Sequence, residues 1–157
     1  MSDLRDELYS LLVPLAGERL IVPRTCVAEV ISYQTPARMN NAPPWYSGMV
    51  TWNYRNVPVV SFEGAFGQAL PTATTRTRIV IFHAAGGKLL SGYFGMLTQG
   101  FPRLVRVNAE VVRPDPSRGF SERSPVICQV RMMNETPLIP DLKRLEEMIA
   151  EETSVTP

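Results

Sequence analysis

The 157-residue chain is 45% apolar and 20% charged, ordinary proportions for a globular protein that buries a real core. A net charge of +1 argues against a general polyanion binder, and no apolar run is long enough to predict a membrane span. MSDLRDELYS does not read as a secretory signal, and Cys26 and Cys128 lie far apart among apolar residues. Free buried thiols in a reducing cytoplasm are therefore expected, not a disulfide.

Taken in order, ELYSLLVPL (7–15) and RLIVP (19–23) flank an AGE turn and predict a hairpin. RTCVAEV (24–30) fits either a short helix or a bent strand. The prolines of NAPP interrupt pairing before NVPVVSFE (56–63), a β-branched strand. LPTATT (70–75) reads as a connecting loop. Strands resume at RIVIFHA (78–84), KLLSGYFGMLT (88–98), RLVRVNAEVV (103–112) and PVICQVRMM (125–133), with PDPSRGFSERS (114–124) as an exposed loop. One clear helix comes last, capped by Asp141 and apolar along Leu142, Leu145 and Ile149. EETSVTP (151–157) reads as a frayed tail.

The chain also echoes itself. SLLVPLAGERLI (10–21) aligns without gaps to IVIFHAAGGKLL (79–90), and RNVPVVSFEGAF (55–66) to NETPLIPDLKRL (134–145). Two similar β lobes meeting near 68–77 are predicted, each too small to hold a large core alone and each able to bury a face against the other.

Between Trp45 and Tyr54 the sequence gathers both tryptophans and two of its five tyrosines, with no His or Cys among them. Such a cluster fills a core or anchors a partner. Trp45, following the prolines, is expected in the core; Trp52 to Arg55, flanked by polar residues, is expected at the surface. His83, the only histidine, reads as a strand residue, since metal sites need several ligands. Ser61 and Ser91 lack a nucleophile-elbow context. AAGGK (84–88) lacks the serine or threonine and the spacing of a phosphate loop and reads as a hairpin turn. Arg103, Arg106 and Arg113 suit a solvated sheet edge.

The run LIVPRTCVAEVI followed by APPWYSGMVTWNYRNVPVVSF resembles the CheW-like domain of bacterial chemosensory adaptors. Leu20 to Pro23 match a strand ending L-P-V, and Val27, Glu29 and Val30 match a V-x-E-V segment. Pro44 and Gly48 match a P-x-x-x-x-G turn, and Val57 to Val60 match a V-P-V-I strand. The resemblance implies a mainly β fold of two five-stranded SH3-like barrel lobes around a shared core, with a C-terminal helix, no catalysis and no cofactor. It also implies cytoplasmic partners: a CheA-type histidine kinase regulatory domain and the cytoplasmic tip of a methyl-accepting chemoreceptor, with recruitment to receptor arrays. Its contact region falls on Val27, Glu29, Val30, Gly48, Trp52, Asn53, Tyr54, Arg55 and Val57. Two positions depart from the family pattern. N-L-R-G becomes Thr51-Trp52-Asn53-Tyr54, and the Asp of the final strand becomes Ser61. The family's Glu–Arg pairing cannot form at Asn53, leaving Arg55 or Arg24 as substitutes. The W-x-x-x-x-V-P-x-x-S-F-E form is similar to the ChpC-like branch linked to pilus (twitching) systems. A small β-barrel that binds single-stranded nucleic acid is the alternative reading, against which the near-neutral charge counts.

Overall fold

The computed structural model describes residues 8–108 and 110–153. Its strands are β1 Leu8–Pro14, β2 Arg19–Pro23, β3 Val27–Ser32, β4 Tyr46–Trp52, β5 Arg55–Val60, β6 Arg78–His83, β7 Tyr93–Thr98, β8 Arg103–Val107, β9 Arg113–Pro114, β10 Val126–Arg131 and β11 Leu138–Pro140. Two helices, α1 Phe62–Ala65 and α2 Leu142–Thr153, follow β5 and β11. One sheet has five strands in the order β3-β6-β7-β5-β4, and the other has six in the order β8-β1-β2-β11-β10-β9. The mainly β architecture with a C-terminal helix is as the resemblance implies; β9, two residues long, makes the second sheet six-stranded.

Strand alternation explains how the two lobes share a core. In β6, Ile79 and Ile81 enter the interior of the five-stranded lobe with Val57 and Val59 of β5. Val80 and Phe82, on the opposite face, enter a larger cluster with Val13, Leu20, Leu138, Leu145 and Ile149 from the other lobe. In the six-stranded lobe, Leu12 and Ile21 point to a third cluster with Val107, Val130 and Met132. Successive side chains on a strand point to opposite faces, so β6 reads as a continuous apolar run because both of its faces are covered. Roughly 25 cal/mol per Å² of apolar burial makes the shared cluster the main force joining the lobes.

The lobes do not meet at 68–77. That segment joins α1 to β6, and both β5 and β6 belong to the five-stranded sheet. Lobe one is continuous from β3 to β7, whereas lobe two takes β1 and β2 from one end of the chain and β8 to β11 from the other. The two echoes nonetheless mark equivalent places. β1 stands in its sheet where β6 stands, one strand in from the edge, and β11 runs parallel to β2 as β5 runs parallel to β7. The boundary inferred from sequence order was wrong because the repeat is circularly shifted along the chain.

Local boundaries also differ from expectation. Arg24–Cys26 forms a 3-10 turn and Val27 starts a strand, which resolves the ambiguous 24–30 segment. The strand expected over 88–98 begins only at Tyr93, after Gly92 at φ 78°. The strand expected over 103–112 ends at Val107; beyond it, Asn108 Oδ1 accepts the amides of Glu110 and Val111 in a turn, and Ala109 lies outside the described residues. α1 was not expected; Ser61 caps it by accepting the Gly64 amide, which gives that serine a structural role. Asp141 caps α2 through the Arg144 amide, and Leu145 and Ile149 are fully buried. The helix continues through Glu151–Thr153, so the expected fray does not begin at 151; residues 154–157 and Glu7 lie outside the described residues. Both cysteines are free and half-buried, and burial pushes the Cys26 thiol above its ordinary value.

A reciprocal pair of carboxylates ties the lobes together. Glu63, on α1 of lobe one, is 1% exposed and accepts the amide of Ala16 in the β1–β2 turn of lobe two at 2.9 Å. Glu146, on α2 of lobe two, is 2% exposed and accepts the amides of Gly86 and Lys88 in the β6–β7 loop of lobe one at 2.9 and 2.8 Å. Each buried carboxyl group is given hydrogen-bond donors, Glu63 the Ala16 amide and the Ser61 hydroxyl and Glu146 two backbone amides, as burial of a polar group requires. A Cβ at Gly86 would meet the Glu146 carboxylate oxygens at 2.9 Å, so a side chain there would have to displace that carboxylate.

Candidate docking surface

One end of lobe one collects the residues on which the sequence placed a partner contact. β4 and β5 pair out to Trp52↔Arg55, so Asn53 and Tyr54 form a two-residue turn. Both have positive φ, 50° and 62°, the signature of a type I′ turn whose twist matches the flanking strands. Asn suits the first place. The second normally takes glycine, and here a bulky tyrosine occupies it, fully exposed.

Behind the tip, Trp52 is half-buried. Its ring meets Tyr93 edge-on at 4.9 Å, and its indole Nε1 donates to Glu29 Oε1 at 2.9 Å. This bond crosses between β3 and β4, the two edges of the five-stranded sheet. Gln34 Nε2 to the Thr51 carbonyl, at 3.4 Å, and the Ala37–Met49 bridge help draw the same edges together. Arg55 lies over Tyr93, 5.4 Å from the ring centroid, and donates to the Ser91 carbonyl at 3.0 Å. His83, exposed at the end of β6, adds a further ring to this group, 5.4 Å from Tyr93. The fully exposed Leu90 adjoins Ser91 in the same loop.

Several expectations are corrected here. Glu29 is paired, but with the Trp52 indole; Arg55 goes to Ser91 and Tyr93, and Arg24 lies over Tyr9. Val57 is fully buried in the lobe-one core, so it cannot touch a partner. Gly48 is buried at φ 137°, where a Cβ would run into the Ala37 carbonyl; its role is to let the 37–49 bridge form. Trp45 is half-buried against the shared core, while the fully buried aromatic of the segment is Tyr46. Glu29, Asn53, Tyr54 and Arg55 are exposed, and Val27, Val30 and Trp52 are partly so. Leu90, Ser91 and Tyr93 were missed because they sit inside what reads as one uninterrupted strand; the Gly92 break was the available signal.

Other polar groups are committed elsewhere. A cavity of about 290 Å³ is lined by Arg38, Ser61 and Glu63 among others, yet Arg38 donates to the Tyr46 and Ala42 carbonyls, Ser61 caps α1 and Glu63 holds Ala16. The 84–88 turn does present amides to an anion, and the anion is the carboxylate of Glu146. Arg19 and Arg103 share Glu135, and Arg118 pairs with Glu18 within lobe two while lying over Phe120 and over Phe66 of lobe one. The 114–124 loop is thereby pinned, and its Asp115 is buried, contrary to the expected exposure. Among the described residues no helix is long and apolar enough to cross a membrane.

Residues 10–148 match the CheW-like domain family. Among solved structures, the scaffolding protein TtCheW from Thermoanaerobacter tengcongensis is similar at 16% identity and a TM-score of 0.70, over 85% of this chain and 88% of that one. No curated protein matches the sequence. The chain belongs to the CheW-like domain family, a non-catalytic scaffold family of chemotaxis signalling.

Proposed function

We propose that this protein is an adaptor in the cytoplasm that couples the cytoplasmic tip of a methyl-accepting chemoreceptor to the regulatory domain of a CheA-type histidine kinase. It docks through the end of lobe one formed by Glu29, Trp52, Asn53, Tyr54 and Arg55. The observation that carries the reading is Tyr54: a large aromatic held at positive φ and fully exposed, where glycine would relieve the backbone. Strain kept at an exposed tip points to use of that side chain. Trp52 and Tyr93 beneath it, tied by Glu29 and Arg55, supply a rigid base at small entropic cost on binding.

Calorimetric titration of the protein with an isolated CheA-type regulatory domain and with a receptor-tip fragment tests the reading. Binding to at least one, weakened about tenfold or more by Tyr54→Ser, is the expected result. Failure to bind either removes it. The W-x-x-x-x-V-P-x-x-S-F-E form favours a pilus-motility system as the setting, and deletion of the gene should then impair twitching and spare swimming.

A further inference from the structure

We propose that Glu146, on the C-terminal helix of lobe two, is a positioning residue for the docking surface of lobe one, acting through the 84–92 loop. The inference rests on the docking reading above and adds to it a control from the opposite lobe.

The path is short and continuous. Glu146 holds the amides of Gly86 and Lys88. Ala84 and Gly92 close the loop by a backbone bond of 2.9 Å, and Leu89 is buried in the shared core. Between those fixed points the loop presents Leu90 to solvent and offers the Ser91 carbonyl to Arg55. Arg55 is the closing residue of the Tyr54 turn and covers Tyr93, the ring against which Trp52 rests. Without the carboxylate, two loop amides lose their acceptor, and the loop loses the anchor that keeps Ser91 under Arg55.

Glu63 does the equivalent task at the β1–β2 turn of lobe two, which contributes nothing to this surface. It is therefore the matched control: a buried helix carboxylate whose loss costs stability without disturbing the tip.

The full chain is tested as Glu146→Ala, Glu146→Gln and Glu63→Ala, each shown folded by its thermal transition. Two readouts are taken: amide hydrogen exchange over 86–92 in the free protein, and affinity for the isolated CheA-type regulatory domain. Glu146→Ala should speed exchange at Gly86 and Lys88 and, if the loop loosens as a whole, at Gly92, whose amide is held by the Leu89 carbonyl, and should weaken binding about tenfold. Glu146→Gln, which keeps one acceptor oxygen, should restore part of both. Glu63→Ala should leave both unchanged. Equal binding losses in Glu146→Ala and Glu63→Ala, or unaltered loop exchange in Glu146→Ala, overturn the proposal. If the unmutated protein binds neither this domain nor a receptor-tip fragment, the docking reading falls, and the exchange data still decide whether Glu146 sets the loop. Should Glu146→Ala not fold, Glu146→Gln alone carries the comparison: slower exchange and tighter binding than expected, indistinguishable from the unmutated protein, overturn it.

Discussion

Trp52 donates its indole N–H to the Glu29 carboxylate at 2.9 Å, joining the two edge strands of lobe one by their side chains. Asn53, the next residue, lies in the left-handed turn. The glutamate is thus held by a neutral aromatic donor, whose half-exposed ring adds apolar area to the surface beside it.

Trp52→Phe should separate these two contributions. The ring contact with Tyr93 survives and the bond to Glu29 does not, so a loss of about 1 kcal/mol is expected by chemical denaturation. Trp52→Ala removes the ring as well and should cost about 2–3 kcal/mol, because the side chain packs on the lobe-one core.

Tyr54→Gly is expected to move stability and binding in opposite directions. Asn-Gly is the favoured pair for this turn, so the melting temperature should rise, by an amount corresponding to about 1 kcal/mol. Affinity for the kinase domain or receptor tip should fall. A lower melting temperature would mean that the tyrosine is packed and not presented.

Gly48→Ala should be among the most damaging small substitutions in the chain, costing about 3 kcal/mol or more. The added methyl meets the Ala37 carbonyl, and the backbone angle itself resists a side chain. Loss of a cooperative thermal transition is the readout.

Asp115 sets a prediction for acid stability. The Ser117 side chain and amide, then Gln129 and Arg131, hold its carboxyl below the ordinary value, against an opposing desolvation. Its folded pKa is lowered, so the unfolded chain binds the proton more readily. The stabilisation is complete above the unfolded value, near pH 4, and is lost as pH falls through the folded value. Asp115→Asn should flatten the stability profile below about pH 4 and lower the plateau above it. A profile identical to that of the unmutated protein would show that the network does not discriminate protonation states.

The sequence disclosed the strands well where apolar residues alternate or run together between turn residues, as in RLIVP and RIVIFH. It disclosed the repeat too, through the matching hairpins and the two Pro-bearing strands, though not the helix that follows the first of them. It could not disclose which pieces pair, because β2 joins β11 across most of the chain, and nothing local in either strand records that partner. Gly92 was hidden inside an apolar run, which moved Leu90 and Ser91 from a loop into an imagined strand. Val57 was placed among the contacts by the resemblance of its strand to the family; only the sheet reveals that its side chain faces inward. Glu29 and Trp52 were each singled out, but their bond was not, since 23 residues separate them.

The divided construction of lobe two bears on how the molecule is made. On a ribosome adding about 5–20 residues per second, β1 and β2 emerge on the order of ten seconds before β11, the strand that completes their sheet. Lobe one is finished in that interval, and its Glu63 already presents an acceptor to the Ala16 amide. The early hairpin thus has a partner to rest against while its own sheet is still being translated, which keeps the apolar faces of Leu20 and Val22 from waiting bare in solvent.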